Sequence, residues 1–183
     1  MSLSMYDDLD SILLTEPQIK QRVLEIGTAI TNAYRDNPPL VVCILKGSAV
    51  FFADLIRSID LPVEIDFMAA ASYGNGTVSS GEVVVVKDLA VDITGRNILL
   101  VEDIIDSGRT LSYLKKLLLS RNAREVSIVT LLDKPSRRAV KLTPDFCGFT
   151  IPDAFVVGYG LDYAEKYRNL RDIGILSPRI YES

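Results

Sequence analysis

Residues Asn97 to Leu111 read Asn-Ile-Leu-Leu-Val-Glu-Asp-Ile-Ile-Asp-Ser-Gly-Arg-Thr-Leu. Ile98 to Val101 is a short run of apolar, mostly branched side chains, the pattern of a strand buried on both faces of a parallel sheet. Two adjacent carboxylates, Glu102 and Asp103, follow it, and Asp106 comes after Ile104 and Ile105. Ser107, Gly108, Arg109 and Thr110 then make a small polar turn before an apolar helical pattern begins. The order is strand, acids, glycine turn, helix. In an open α/β sheet, ligands bind just outside the carboxyl ends of the strands. A turn opening a helix there offers free backbone N–H groups and the positive end of the helix dipole, both suited to a phosphate. The Ser107 and Thr110 hydroxyls add donors. The carboxylates suit ribose hydroxyls, a hard divalent cation or a proton to be removed. Capping a helix takes one acid, and this stretch has three in five positions. One loop thus joins an anion cradle to an acidic rim, and a phosphorylated sugar has both faces.

Other stretches have the same strand-then-polar-loop form. Leu40 to Leu45 reads as a core strand ending in Lys46-Gly47-Ser48, with an apolar helix from about Ala49 to Ile59. Glu125 to Leu132 reads as another, ending in Asp133-Lys134-Pro-Ser-Arg-Arg138. Val63 to Ala71 and Val83 to Val86 are strands around the polar, glycine-rich Ser72 to Gly81. A loop of that length is usually disordered or a lid. Thr15-Glu-Pro-Gln18 has the form of a capping box, and Ile19, Val23, Ile26, Ile30 and Tyr34 follow at helical spacing, so a helix is predicted over about 16–35. Leu111, Leu114, Leu117 and Leu118 predict another, to about Arg121. Phe146 to Thr150 and Phe155 to Tyr159 read as short strands before the aromatic-rich Gly158 to Leu170.

Composition narrows the chemistry. The chain has 183 residues, 48% of them hydrophobic, enough for one domain with a full core. Its net charge of −4 argues against a nucleic-acid surface. No apolar run approaches the ~18 residues of a membrane span, and the acidic start does not read as a signal peptide, so a cytoplasmic protein is expected. Cys43 and Cys147 lie in apolar runs without a CxxC and read as buried free thiols. The chain has no histidine. That removes Ser-His and Cys-His nucleophile systems and the usual zinc sites, and leaves acid–base work to Asp, Glu, Lys or Tyr.

The run Val-Glu-Asp-Ile-Ile-Asp-Ser-Gly-x-Thr resembles the phosphoribosyl-pyrophosphate (PRPP) motif of the type I phosphoribosyltransferases, and in detail that of the hypoxanthine-guanine enzymes. The resemblance covers roughly residues 10–176 and has several parts. Leu-Lys-Gly-Ser at 45–48 resembles the family's pyrophosphate loop and implies a cis peptide bond between Leu45 and Lys46. Ser72 and Tyr73 resemble the start of its flexible catalytic loop (72–82), which folds over bound substrates. Leu-Leu-Asp-Lys-Pro places Lys134 at the 6-oxo group of a purine. Phe-Val-Val-Gly-Tyr-Gly-Leu-Asp-Tyr-x-Glu-x-Tyr-Arg resembles the family's purine hood. There Phe155 stacks on the base, Val156 offers backbone groups to its edge, Asp162 holds a second metal through water, and Arg168 contacts pyrophosphate.

The resemblance implies an α/β fold with a central, mainly parallel sheet flanked by helices. It implies one domain over 1–183, with a core of about 36–145 and a hood from about 1–15 and 146–183. The implied reaction transfers phosphoribosyl from PRPP to hypoxanthine or guanine, giving a nucleoside monophosphate and pyrophosphate, with Mg²⁺ at Glu102 and Asp103. Asp106 is then the proton acceptor, residues 106–110 (Asp106, Ser107, Gly108, Arg109, Thr110) hold the 5′-phosphate, and Lys46, Gly47 and Arg168 hold pyrophosphate. A homodimer or homotetramer is expected, without nucleic-acid or membrane partners. Two other readings keep the fold: a regulator that binds PRPP or nucleotide, and an enzyme preferring xanthine. Arg109, where relatives often have Lys or Leu, and Arg171, where many have Pro, depart from the pattern.

Overall fold

The computed structural model describes residues 4–73 and 82–182. A 3-10 turn over Met5–Asp8 leads into β1 (Leu9–Leu14). α1 (Glu16–Ala33) follows, its start fixed by Gln18 Oε1, which accepts the Thr15 N–H at 2.9 Å. Then come β2 (Leu40–Leu45), α2 (Ala49–Ile56), β3 (Glu64–Tyr73) and β4 (Glu82–Lys87). β5 (Asn97–Ile105), α3 (Arg109–Ser120), β6 (Glu125–Asp133) and β7 (Phe146–Thr150) complete the central unit. β8 (Val156–Val157), β9 (Ile173–Leu176) and the one-turn α4 (Pro178–Tyr181) close the chain.

Six strands form the main sheet in the order β4-β3-β2-β5-β6-β7. Every neighbouring pair is parallel except β3 with β4. The central strands β2, β5 and β6 are buried along nearly their whole length, as their unbroken apolar runs require. One face is covered by α1 and α2, through Ile19, Val23, Phe51 and Leu55, and the other by α3, through Leu111, Leu114 and Leu118. The chain leaves β2 toward β3 on one side and returns to β5 on the other. The carboxyl ends of β2 and β5 therefore flank a switch in strand order, where loops part and a ligand crevice opens.

A second, antiparallel sheet, β1-β9-β8, stands over that edge. Asp172 joins its two chain segments. One carboxylate oxygen accepts the Glu16 N–H at 2.7 Å and the other the Tyr6 hydroxyl at 3.0 Å. Tyr167 donates to Asp8 at 2.8 Å.

Several boundaries differ from the sequence reading. β5 continues past Val101 to Ile105, because Glu102, Ile104 and Ile105 stay in register with Thr130, Leu132 and Asp133 of β6. Phe155 to Tyr159 is not a full strand. It pairs only at Val156 and Val157, after which Gly158 and Tyr159 take positive φ. β7 belongs to the main sheet, so the hood expected from residue 146 begins after Thr150. β1, β9 and α4 had no expected counterpart. The 74–81 stretch of the expected loop lies outside the described residues, and Ser72 and Tyr73 end β3.

Candidate active site

Three adjacent parallel strands end in a functional side chain. Lys46 follows β2, Asp106 follows β5 and Lys134 follows β6. Parallel pairing brings these strand ends to one edge of the sheet, although the residues lie up to 88 positions apart in sequence. The peptide bond between Leu45 and Lys46 is cis, as expected.

The loop after β5 is open to an anion. Gly108 sits at φ +75°, ψ 0° before α3, a left-handed conformation that glycine adopts without strain, and no side chain caps the helix. The first-turn N–H groups of α3 thus have no intrahelical partner. The Ser107 hydroxyl accepts only a long bond, 3.4 Å, from the Arg109 N–H. This loop, with Glu102, Leu45 and Ala70, lines a cavity of about 250 Å³. Arg109 itself is exposed.

A larger cavity of about 550 Å³ lies beside it. Asp103, Asp106, Lys134, Phe155, Val156 and Asp162 all line it, so residues expected to serve purine, ribose and proton transfer share one space. Strand alternation explains how two neighbouring acids serve two cavities: Glu102 faces the smaller one and Asp103 the larger. Lys134 is buried, and its Nζ lies 3.6 Å from Asp106 Oδ1. Phe155 is 40% exposed and lines this cavity. Ile104 and Leu161 line the same cavity and supply apolar wall.

Backbone close approach joins the loops. A Cβ on Gly47 would stand 1.8 Å from Asp103 Oδ2, and one on Gly160 would stand 2.1 Å from the Gly47 carbonyl. Gly160, at φ +102°, thus stacks on Gly47, which stacks on Asp103. No side chain fits at either glycine without moving its neighbour.

Burial, then the charge of Asp103, hold Glu102 well above the ordinary carboxylate range. Burial also raises Asp103, whose Oδ1 accepts the Ile104 N–H at 2.8 Å. Two acids side by side with no basic partner within ion-pair distance among the described residues are a poor arrangement for stability. Hard oxygen donors of this kind fit Mg²⁺. Among the described residues, no three acidic, Cys or His side chains gather as a direct metal site. Asp162 accepts the Glu165 N–H at 2.9 Å and pairs with Arg168 at 2.9 Å.

Arg168 also donates to the Gly160 carbonyl at 2.8 Å, and Glu165 bridges it to Lys46, at 3.4 and 3.2 Å respectively. The two cations expected to bind pyrophosphate are therefore held together across the cleft by a carboxylate that sequence reasoning had passed over. Ile104, Leu161, Glu165 and Tyr181 were the site residues missed. Ile104, Leu161 and Glu165 lie inside the quoted motifs but were given no role, Tyr181 lies outside them, and their places follow from where β5, the hood turn and α4 meet.

A family model of the phosphoribosyl transferase domain matches residues 11–164. The chain is 55% identical over 179 residues to the hypoxanthine-guanine phosphoribosyltransferase of Bacillus subtilis, covering 98% of this chain and 99% of that protein. It is 52% identical over 173 residues to the enzyme of the same name from Lactococcus lactis subsp. lactis, covering 94% of each. The crystal structure of a hypoxanthine phosphoribosyltransferase from Staphylococcus aureus superposes with a TM-score of 0.96 at 48% identity, over the full length of both chains. The Leu-Lys-Gly-Ser motif implied the cis Leu45–Lys46 bond and the motif after β5 an uncapped helix start, and with these matches the chain belongs to the phosphoribosyl transferase family, among the hypoxanthine-guanine phosphoribosyltransferases.

Proposed function

We propose that the protein is a purine-salvage enzyme that transfers phosphoribosyl from PRPP to hypoxanthine or guanine, releasing pyrophosphate. The observation that carries this reading is Lys134, a buried ammonium in a cavity wide enough for a base, 3.6 Å from Asp106. An ammonium donates to a 6-oxo group but meets a 6-amino group donor against donor, a costly mismatch in a buried site.

The open N-terminus of α3, with Ser107 and Thr110, holds the 5′-phosphate. Glu102 and Asp103, facing the two cavities, hold the ribose hydroxyls between phosphate and base. Lys46, the backbone at Gly47, and Arg168 hold pyrophosphate; Glu165 gives up the two cations as it arrives. The residues fit Mg²⁺ at Glu102 and Asp103, where bound ion would neutralise charge on the leaving pyrophosphate. The base lies against Phe155, with Ile104 and Leu161 as apolar wall and the Val156 backbone at its edge. As the C1–oxygen bond to pyrophosphate breaks and a bond from C1 to the purine ring nitrogen forms, ribose gains positive character in the transition state, which the nearby carboxylates stabilise. Asp106 takes the proton from the purine imidazole nitrogen, and Lys134 beside it stabilises the enolate-like 6-oxygen. Asp162 positions Arg168 in the unliganded protein, and metal contact through water is its proposed role with substrate bound. A homodimer or homotetramer is the expected assembly, and the exposed Ile65, Val84 and Val86 on β3 and β4 offer apolar surface for it.

The test is a spectrophotometric assay with PRPP, Mg²⁺ and hypoxanthine, guanine, xanthine or adenine in separate cuvettes. Turnover of hypoxanthine or guanine without adenine is the expected result. Efficient use of adenine, or no turnover of any base, would overturn the reading.

A further inference from the structure

Phe155 does not stand alone. Its ring is stacked on Tyr181 of α4, with centroids 5.1 Å apart and planes 25° apart. Tyr163 stands perpendicular to Phe155, with centroids 5.7 Å apart and planes at 87°, and meets Tyr181 at 6.3 Å. Offset-stacked and edge-on pairs of this kind are the favoured aromatic geometries. Tyr181 also lines the larger cavity.

A centroid separation of 5.1 Å leaves no room for a base between Phe155 and Tyr181. One face of Phe155 is therefore covered by Tyr181, Tyr163 stands perpendicular beside the ring, and Phe155 still lines the larger cavity. Tyr181 is stacked on the 40% exposed Phe155 ring, whereas the contact with Tyr163 is perpendicular, so removing Tyr181 takes away the plane-to-plane support.

α4 is too short to hold Tyr181 by itself and is anchored to the hood. The Ser177 N–H donates to the Asp8 carbonyl at 2.9 Å, Arg179 approaches Asp8 at 3.9 Å, and Ile180 packs with Leu176, Tyr167 and Leu170. α4 is thereby tied to the 3-10 turn that precedes β1, and through Tyr181 to the Phe155 ring.

Resting on the reading above, we propose that Tyr181 is a positioning residue of the purine subsite. It backs Phe155, fixes the plane against which a 6-oxopurine stacks, and acts on base affinity without acting on PRPP. Loss of one ordered aromatic pair corresponds to roughly a 3- to 10-fold change in affinity.

The experiment uses the full chain and three variants. Tyr181→Ala removes the ring, Tyr181→Leu keeps apolar volume without stacking, and Tyr181→Phe keeps the ring. KM for guanine at saturating PRPP, KM for PRPP at saturating guanine, and the calorimetric Kd for GMP are measured for each. Ala and Leu are expected to raise the guanine KM and GMP Kd by roughly 3- to 10-fold, leaving the PRPP KM within about twofold. Phe is expected to restore the parent values. Equal rises in both KM values mean that the ring merely supports the hood, a lower guanine KM means that it blocks the base, and no change means that it is idle. Each of these overturns the proposal. If the parent protein turns over no 6-oxopurine, the catalytic reading fails on its own, and the GMP Kd still decides the role of Tyr181: unchanged or tighter in Tyr181→Ala, or no GMP binding by the parent, overturns it.

Discussion

Lys134 and Asp106 make the sharpest residue-level claim, because each changes what the other does. Lys134 Nζ lies 3.6 Å from Asp106 Oδ1, and a purine arriving between them finds a donor for its oxygen and an acceptor for its ring proton. Asp106→Asn is expected to lower kcat by roughly 10²–10⁴-fold, the usual yield of a positioned base, with the PRPP KM changed little. Steady-state kinetics with PRPP varied at saturating guanine checks this, and undiminished turnover would end the role of Asp106. Lys134→Gln replaces an obligatory donor by a group that also accepts. Its kcat/KM for hypoxanthine should drop roughly 10- to 100-fold, the worth of a charged hydrogen bond, while that for adenine holds or rises. The ratio of the two bases is the measurement, and an unchanged ratio would remove Lys134 from base selection.

At the scale of elements, the site depends on how closely loops approach. Gly47 lies so near Asp103 that any side chain there displaces a buried carboxylate rather than a flexible surface group. Gly47→Ala is expected to lower kcat/KM for PRPP on the order of 100-fold, the effect of about 1 Å of misplacement, with the folded spectrum retained. Circular dichroism alongside kinetics separates the two. Remote from the site, Asp66 ties β3 to the segment after β4. It is buried, and its oxygens accept the Phe67 and Ala90 N–H groups, both at 2.7 Å. Burial alone would raise its pKa; the two N–H donors and Lys87 outweigh that and hold it below the ordinary 3.8. A carboxyl depressed on folding stabilises fully above its unfolded pKa and loses that contribution as pH falls through the folded one. Unfolding midpoints should therefore decline on the acid side of about pH 4. Asp66→Asn should cost about 1–3 kcal/mol at pH 7 and flatten that decline. Denaturant melts from pH 2.5 to 7 are the check, and parallel curves for parent and variant would count against this account.

For the whole molecule, the two sheets differ in how much apolar surface secures them. The main sheet is buried between helices on both faces, whereas the hood has a small cluster of its own around Val157, Tyr167, Leu170 and Leu176. Hydrogen exchange is expected to be faster in β1 and β9 than in β2, β5 and β6, and GMP should slow it in the hood selectively. Uniform protection across both sheets would show that the hood does not open separately. Much of this architecture was legible in the chain. Unbroken runs such as Leu40–Leu45 and Ile98–Val101 demand burial on both faces, and the acids and glycine after the second place an anion site at a strand end. The motif around Glu102 to Thr110, with the loops at Lys46 and Lys134, carried the fold family and named most of the side chains that line the two cavities. Elements whose partners are distant were not legible. β1 and β9 pair across the length of the chain, and neither alternates clearly enough to declare itself as a strand. The end of β5 was misplaced because its continuation through Glu102 and Asp103 depends on hydrogen bonds supplied by β6, which local polarity does not reveal. Local side-chain chemistry is written along the chain, and so the candidate groups could be named from it. Which groups meet is set by strand order and loop contact: Gly47 under Asp103, Glu165 between Lys46 and Arg168, and Tyr181 behind Phe155 exist as neighbours only once the sheet has formed and the hood has closed over its edge.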